Sequence, residues 1–170
     1  MRLPPRSPRR PTRLLFVCLG NICRSPAAEG VFLHHLAGAD LGHVFEVDSA
    51  GTGGWHVGQP ADPRMRAAAE RRGIHLPSRA RRLEVDDLHN FDHILTMDAD
   101  NLGAVQNMAR QNLSRQTRPT ATITPITDYC QRFTAAEIPD PYYGGPQGFD
   151  HVLDLLEDAC AGLLDSLRPR

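Results

Sequence analysis

The chain has 170 residues, a formal net charge of −1 and an isoelectric point near 6.7, with 41% hydrophobic and 23% charged residues. That is the size and mix of a single globular domain. It excludes a general nucleic-acid binder, which would be basic, and no apolar run approaches the roughly 18 residues of a membrane-spanning helix. Every one of the 19 Lys/Arg positions is arginine, a bias that no single site explains.

The first thirteen residues, MRLPPRSPRRPTR, are dominated by arginine and proline, the composition of a solvated, disordered tail. We assign residues 1–12 to that tail and 13–170 to one folded domain. The apolar run LLFVC that follows is too short for a signal-peptide core, and GNICRS after it has no small-residue cleavage pattern. The expected location is therefore the cytoplasm, where Cys18, Cys23, Cys130 and Cys160 are reduced thiols rather than a disulfide framework.

In chain order, Leu14–Cys18 is a continuous apolar run, as in a buried parallel strand. Ser25-Pro26 reads as N-cap and first helical residue of a helix through Ala27, Ala28, Val31, Phe32 and Leu36. Val44–Val47 is a second strand, closed by the turn-prone SAGTGG, and Asp62-Pro63 opens a helix running to Gly73. A short helix over Leu83–His89, a strand over Phe91–Met97, and a helix from Asp98 to Arg110 come next. A strand over Thr122–Ile126 and a helix over Gly148–Leu167 complete the chain. Strands alternating with helices, joined by connections too long for hairpins, predict an α/β fold with a mostly parallel open sheet. Ligands of such sheets bind beyond the carboxyl ends of the strands, where Cys18 stands.

Between Cys18 and Arg24 lie five residues, Leu19, Gly20, Asn21, Ile22 and Cys23, joining a buried strand to a helix that begins near Ser25. A loop of this length can curl so that successive backbone N–H groups point inward and hold an anion at a helix N-terminus. Gly20 and Asn21 are residue types that tolerate the unusual φ such a curl requires. Arg24 offers a planar fork for two phosphate oxygens. A cysteine beside these dipoles is expected to react as a thiolate, and the Ser25 hydroxyl can donate to it. C-x5-R alone occurs often by chance; the strand before it, Gly and Asn within it and Ser-Pro after it make it specific. A thiolate attacking phosphorus needs an acid for the departing oxygen. Asp140, held between Pro139 and Pro141 with Tyr142 and Tyr143 beside it, can protonate that oxygen and later activate water.

Together these segments closely resemble the low-molecular-weight protein tyrosine phosphatases, whose loop reads V-C-x-G-N-I-C-R-S-P and whose acid loop reads D-P-Y-Y. Asp48-Ser49-Ala50-Gly51-Thr52, Trp55, Asp62-Pro63-Arg64 and Met97-Asp98 extend the resemblance over about Leu14 to Leu167. It implies a single-domain sheet of four parallel strands with helices on both faces. It also implies that Cys18 is the nucleophile, Arg24 the phosphate clamp and Asp140 the general acid/base. Asn21, Ser25 and Ser49 would support the loop, and Trp55, Tyr142 and Tyr143 would border the cleft. The expected substrates are phosphotyrosine in proteins or small aryl phosphates, without metal or cofactor, nucleic acid or membrane. Where Ser78 stands, many members carry histidine, and the arginine-rich extension has no counterpart in the family. Cys23 is a candidate redox partner of Cys18. An arsenate reductase on the same fold would need cysteines in a mobile segment, yet Ile74 to Asn90 contains none. A binding module without catalysis should lack the nucleophile, clamp or acid, and all three are present.

Overall fold

The computed structural model describes residues 10–113 and 119–169. Most of the predicted tail, residues 1–9, lies outside them; Arg10 pairs with Asp92 at 2.7 Å, and Thr12 already opens the first strand, its N–H donating to Val44 O. Four strands, β1 (Thr12–Cys18), β2 (Phe45–Gly51), β3 (His93–Thr96) and β4 (Thr122–Pro125), form one sheet in the order β2-β1-β3-β4 with every pairing parallel. Among the described residues the α-helices are α1 (Arg24–Gly38), α2 (Pro63–Glu70), α3 (Asp87–Asn90), α4 (Ala99–Gln111) and α5 (Pro146–Leu167).

The apolar run of β1 is continuous because both faces are covered. Leu14, Phe16 and Cys18 point into a core shared with α1, α2 and α5, while Leu15 and Val17 point into a second core shared with α3 and α4. This alternation puts the Cys18 side chain on the α1 side of the sheet, at the carboxyl end of an inner strand. The predicted parallel sheet with helices on both faces is borne out.

Several boundaries differ for identifiable reasons. β2 runs on to Gly51, through residues expected to turn, because Ser49, Ala50 and Gly51 pair with Phe16, Val17 and Cys18. A Cβ at Gly51 would lie 2.8 Å from Leu19 O, so a glycine is what lets the strand end touch the loop after β1. Phe91, expected in β3, instead follows α3 and packs its ring under the Arg13 guanidinium at 5.0 Å. The Leu83–His89 helix shrinks to Asp87–Asn90, since the Leu83 N–H is drawn to Gly51 O at 2.8 Å. Asp62 caps α2 as expected, accepting from the Arg64 N–H at 2.8 Å.

α5 closes the larger core and crosses the turn at Ile126–Tyr129 at Gly162, where an added Cβ would stand 1.9 Å from Tyr129 O. Backbone cannot yield as a flexible side chain does. Gly162→Ala is therefore expected to lower the denaturant midpoint by the equivalent of roughly 1–3 kcal/mol, the usual cost of overpacking. Its slope with denaturant should stay unchanged.

Candidate active site

The Cys18–Arg24 loop is shaped from outside by the chain around it. Cys18 O accepts from Thr52 N at 2.9 Å, Leu19 O from Gly53 N at 2.9 Å and Ile22 O from Asp62 N at 2.8 Å. In a trans peptide the N–H points opposite the C=O. Drawing these three carbonyls outward therefore turns the amides of Leu19, Gly20 and Cys23 toward the loop's centre, as an anion cradle requires. The N-terminus of α1 opens directly onto that centre and adds the positive end of its dipole.

Asn21 is the strained member, at φ +56, where asparagine is among the few side chains to settle readily. Its buried amide explains how it stays there. Nδ2 donates to Ser25 Oγ at 2.8 Å and to Ser49 Oγ at 3.0 Å, and Oδ1 accepts from Arg81 N at 2.9 Å. Gly20, expected to share the unusual φ, does not take it. Its lack of a side chain serves close approach instead, since a Cβ there would lie 3.1 Å from His56 Cδ2. Ser25 is likewise no N-cap. The helix begins at Arg24, with Cys23 in the cap position and no side-chain cap bond. The Ser25 hydroxyl is turned inward, 3.1 Å from Cys18 Sγ.

Arg24 is 3% exposed and reaches across the loop. Its guanidinium donates to Asp98 at 2.6 Å and to Ile138 O at 3.1 Å, and lies 3.6 Å from Asp140 Oδ2. Burial works against its charge, but Cys18, Asp98 and Asp140 more than offset this, and its pKa lies above the ordinary arginine value. Asp140 is 40% exposed, so it can exchange protons with solvent while facing the loop. Its segment is anchored by the Ile138 N–H on Met97 O at 2.7 Å and by the Tyr142 N–H on Asp140 Oδ1 at 3.1 Å. Cys23 is buried, and burial first, then the negative charges of Asp62, Cys18 and Asp140, push its thiol well above the usual range.

A cleft of about 420 Å³ opens over this loop, with Cys18 and Arg24 among its lining and Asp140, Trp55, Tyr142 and Tyr143 around it. Trp55 and Tyr143 are exposed to 72% and 93% and form its rim. Tyr142 stands edge-on to Tyr143 at 4.9 Å and is backed by Arg64 at 5.4 Å. Sequence reasoning missed two members. His56 lines the cleft with Nδ1 3.2 Å from Gln59 Oε1, and nothing in its spacing marked it. Asp98, read as the start of a helix and as part of the family resemblance but given no role in the site, both caps α4 and pairs with Arg24; an Asp N-cap beyond a strand end was the available signal. Ser78 lies in a separate groove with His75 and Arg79. Among the described residues, no three His, Cys, Asp or Glu side chains are grouped as metal ligands would be.

A family model described as low molecular weight phosphotyrosine protein phosphatase matches residues 13–170. The chain belongs to this family. A putative low molecular weight protein-tyrosine-phosphatase of Synechocystis is 48% identical, covering 91% of this chain and 96% of its own. The crystal structure of a protein tyrosine phosphatase from Entamoeba histolytica superposes with a TM-score of 0.85 at 42% identity, covering 92% of this chain and 96% of that one. A Drosophila arginine phosphatase superposes with a TM-score of 0.84 at 31% identity, covering 92% and 98%. One scaffold thus carries proteins named as a tyrosine phosphatase and as an arginine phosphatase.

Proposed function

We propose that this phosphatase hydrolyses phosphotyrosine and aryl phosphate monoesters through a cysteinyl-phosphate intermediate. The supporting observation is the convergence of Cys18, Arg24 and Asp140 on one cleft, with a hydroxyl 3.1 Å from the sulfur and the acid 3.6 Å from the clamp. The inward amides and Arg24 bind the dianion's non-bridging oxygens and stabilise the charge that spreads over them in transfer. The Cys18 thiolate attacks phosphorus in line, the S–P bond forms as the P–O bond breaks, and Asp140 gives its proton to the leaving oxygen. Asp140, now a carboxylate, takes a proton from water as that water attacks phosphorus and the S–P bond breaks. The Ser25 hydroxyl stabilises the departing thiolate. None of these steps calls on a metal or cofactor.

Trp55, Tyr142 and Tyr143 give the cleft flat apolar walls, which favour an aromatic leaving group. The partner we assign is a phosphotyrosine-bearing protein or a small aryl phosphate, in the cytoplasm, where four free thiols are stable. Because one relative is an arginine phosphatase, matched peptides carrying phosphotyrosine or phosphoarginine decide the substrate. The expected result is a higher kcat/KM for phosphotyrosine; the reverse order would overturn the aryl assignment.

Cys23 is proposed as a redox partner of Cys18. Both line the same cleft, and peroxide would convert the Cys18 thiolate to a sulfenic acid. Attack by the Cys23 sulfur then expels water and leaves a Cys18–Cys23 disulfide that cellular thiols reduce. Uncharged sulfenic acid also removes one of the charges that hold the Cys23 proton on. After peroxide and then dithiothreitol, wild type should recover most of its activity and Cys23→Ser much less, with the disulfide found by mass spectrometry. Equal recovery without that linkage would leave Cys23 as packing beneath the loop.

A further inference from the structure

The stretch from Arg64 to Arg82 is rich in arginine, and the structure sorts its members by what they touch. Arg64 is held by Asp62, Arg72 by Asp150, Asp154 and Glu157, and Arg81 by Asp48 and Asp87. Among the described residues no carboxylate pairs with Arg66 or Arg79. Each donates instead to a backbone carbonyl, Arg66 Nε to Ala61 O at 3.0 Å and Arg79 Nη1 to Gly58 O at 3.0 Å. These bonds steady two exposed guanidiniums without neutralising either.

Both line one groove of about 520 Å³, while Arg71 and Arg82 lie outside it. The buried side chains of Ile74 and Leu76 give the groove an apolar lining, and Ser78 is the polar group beside Arg79. Glu70, one turn of α2 after Arg66, contributes a carboxylate, so the two guanidiniums leave the groove net positive. Guanidiniums gathered without matching acids repel one another and draw in an anionic partner. Each keeps free N–H groups in the planar fork that suits a carboxylate.

The chain itself joins this groove to the catalytic cleft. His56 lines the cleft and Pro60 lines the groove. Four residues of chain span at most about 14 Å. The connecting turn is rigid: Gln59 N donates to His56 O at 2.9 Å, and Gly58 N and Ala80 N exchange bonds with Ala80 O and Gln59 O at 2.8 Å. Pro60 faces Arg79 across the same short antiparallel pairing, which fixes Arg79 relative to the cleft wall. Trp55 and Val57 are exposed along the crest between the two hollows, an apolar ridge for a peptide to cross. An extended peptide advances about 3.3 Å per residue, so the groove lies about four residues from a phosphotyrosine seated over Cys18.

We propose that the groove holding Arg66 and Arg79 is a specificity subsite for acidic side chains, an aspartate or glutamate about four residues from the phosphotyrosine of a protein substrate. This rests on the cleft taking phosphotyrosine. The carboxylate meets the two forks, and the methylenes of a glutamate lie against Ile74 and Leu76. A small aryl phosphate has no chain to reach the groove and gains nothing from it. The subsite therefore separates phosphoproteins from one another without touching the chemical step.

The test compares two phosphotyrosine peptides, one with glutamates three to five positions away on both sides and one with alanines there. Exposed ion pairs are worth up to about fivefold each. At low ionic strength wild type should favour the glutamate peptide about fivefold to tenfold in kcat/KM, chiefly through KM. Added salt should shrink that preference. Arg66→Ala/Arg79→Ala should lose most of it while hydrolysing para-nitrophenyl phosphate at the wild-type rate. Arg66→Glu/Arg79→Glu should favour a lysine-flanked peptide instead, a gain that misfolding cannot produce. Indifference of the wild type to the flanks, or a preference that survives in the alanine double variant, would overturn the subsite. Should phosphoarginine peptides prove the better substrates while the glutamate preference still depends on Arg66 and Arg79, the aryl reading fails and the subsite stands. Phosphotyrosine turnover blind to the flanks does the converse.

Discussion

Cys18→Ser is expected to abolish turnover of para-nitrophenyl phosphate while leaving the fold intact. A serine oxygen at that position is a hydroxyl at neutral pH, with no adjacent base to ionise it. It also forms a phosphate ester in place of a reactive thiophosphate. Loss of a catalytic nucleophile elsewhere costs on the order of 10⁶-fold in kcat, and a similar loss is expected here. The substitution keeps the shape of a side chain that is 2% exposed, so the unfolding transition should move little. Arg24→Ala should be nearly as inactive but less innocent. It strips Asp98 of a 2.6 Å partner and leaves Ile138 O without its donor, so a lower melting temperature should accompany the loss. Wild-type activity should survive a chelator. Substantial turnover by Cys18→Ser, or inactivation by chelation, would remove the thiolate mechanism.

Asp140→Ala should separate substrates by their leaving groups. For phosphotyrosine, whose phenolate is a strong base, the first step needs the proton that Asp140 delivers, and general acid catalysis is worth about 10²–10⁴-fold. For an aryl phosphate with an acidic phenol that step proceeds unaided, and the loss should be far smaller. The measurement is kcat/KM of wild type and variant across a series of aryl phosphates, plotted against the phenol pKa. The variant should show a steep dependence and the wild type a shallow one. Parallel lines would take Asp140 out of the acid role and leave it as a partner of Arg24, which at 3.6 Å it also is.

The site was legible because its chemistry is carried by neighbours in sequence. A strand, a five-residue loop and a helix start are one stretch of chain, and the spacing from Cys18 to Arg24 fixes what the loop can enclose. Sheet class was legible for a similar reason, since the apolar run Leu14–Cys18 needs cover on both faces. What the sequence hid depends on partners distant along the chain. Ser25 looks like an N-cap by local rules, but Asn21 and Cys18 claim its hydroxyl. Gly20 looks like a residue chosen for its φ until His56 is seen against it. The β2 terminus looks like a turn until β1 is laid beside it.

The carbonyls of Cys18, Leu19 and Ile22 are held by amides outside the loop, so the cradle's form belongs to the protein and not to the ester it receives. Such a cradle recognises a tetrahedral dianion and is largely blind to what that dianion is attached to. Inorganic phosphate, the second product, is itself such a dianion, and it competes for the amides that bound the substrate. Turnover in a cell is therefore throttled by ambient phosphate in simple proportion to how much of the cradle that phosphate fills. Selectivity among phosphoproteins must come from Trp55, His56 and the tyrosines at the mouth, where the dianion ends and the rest of the substrate begins.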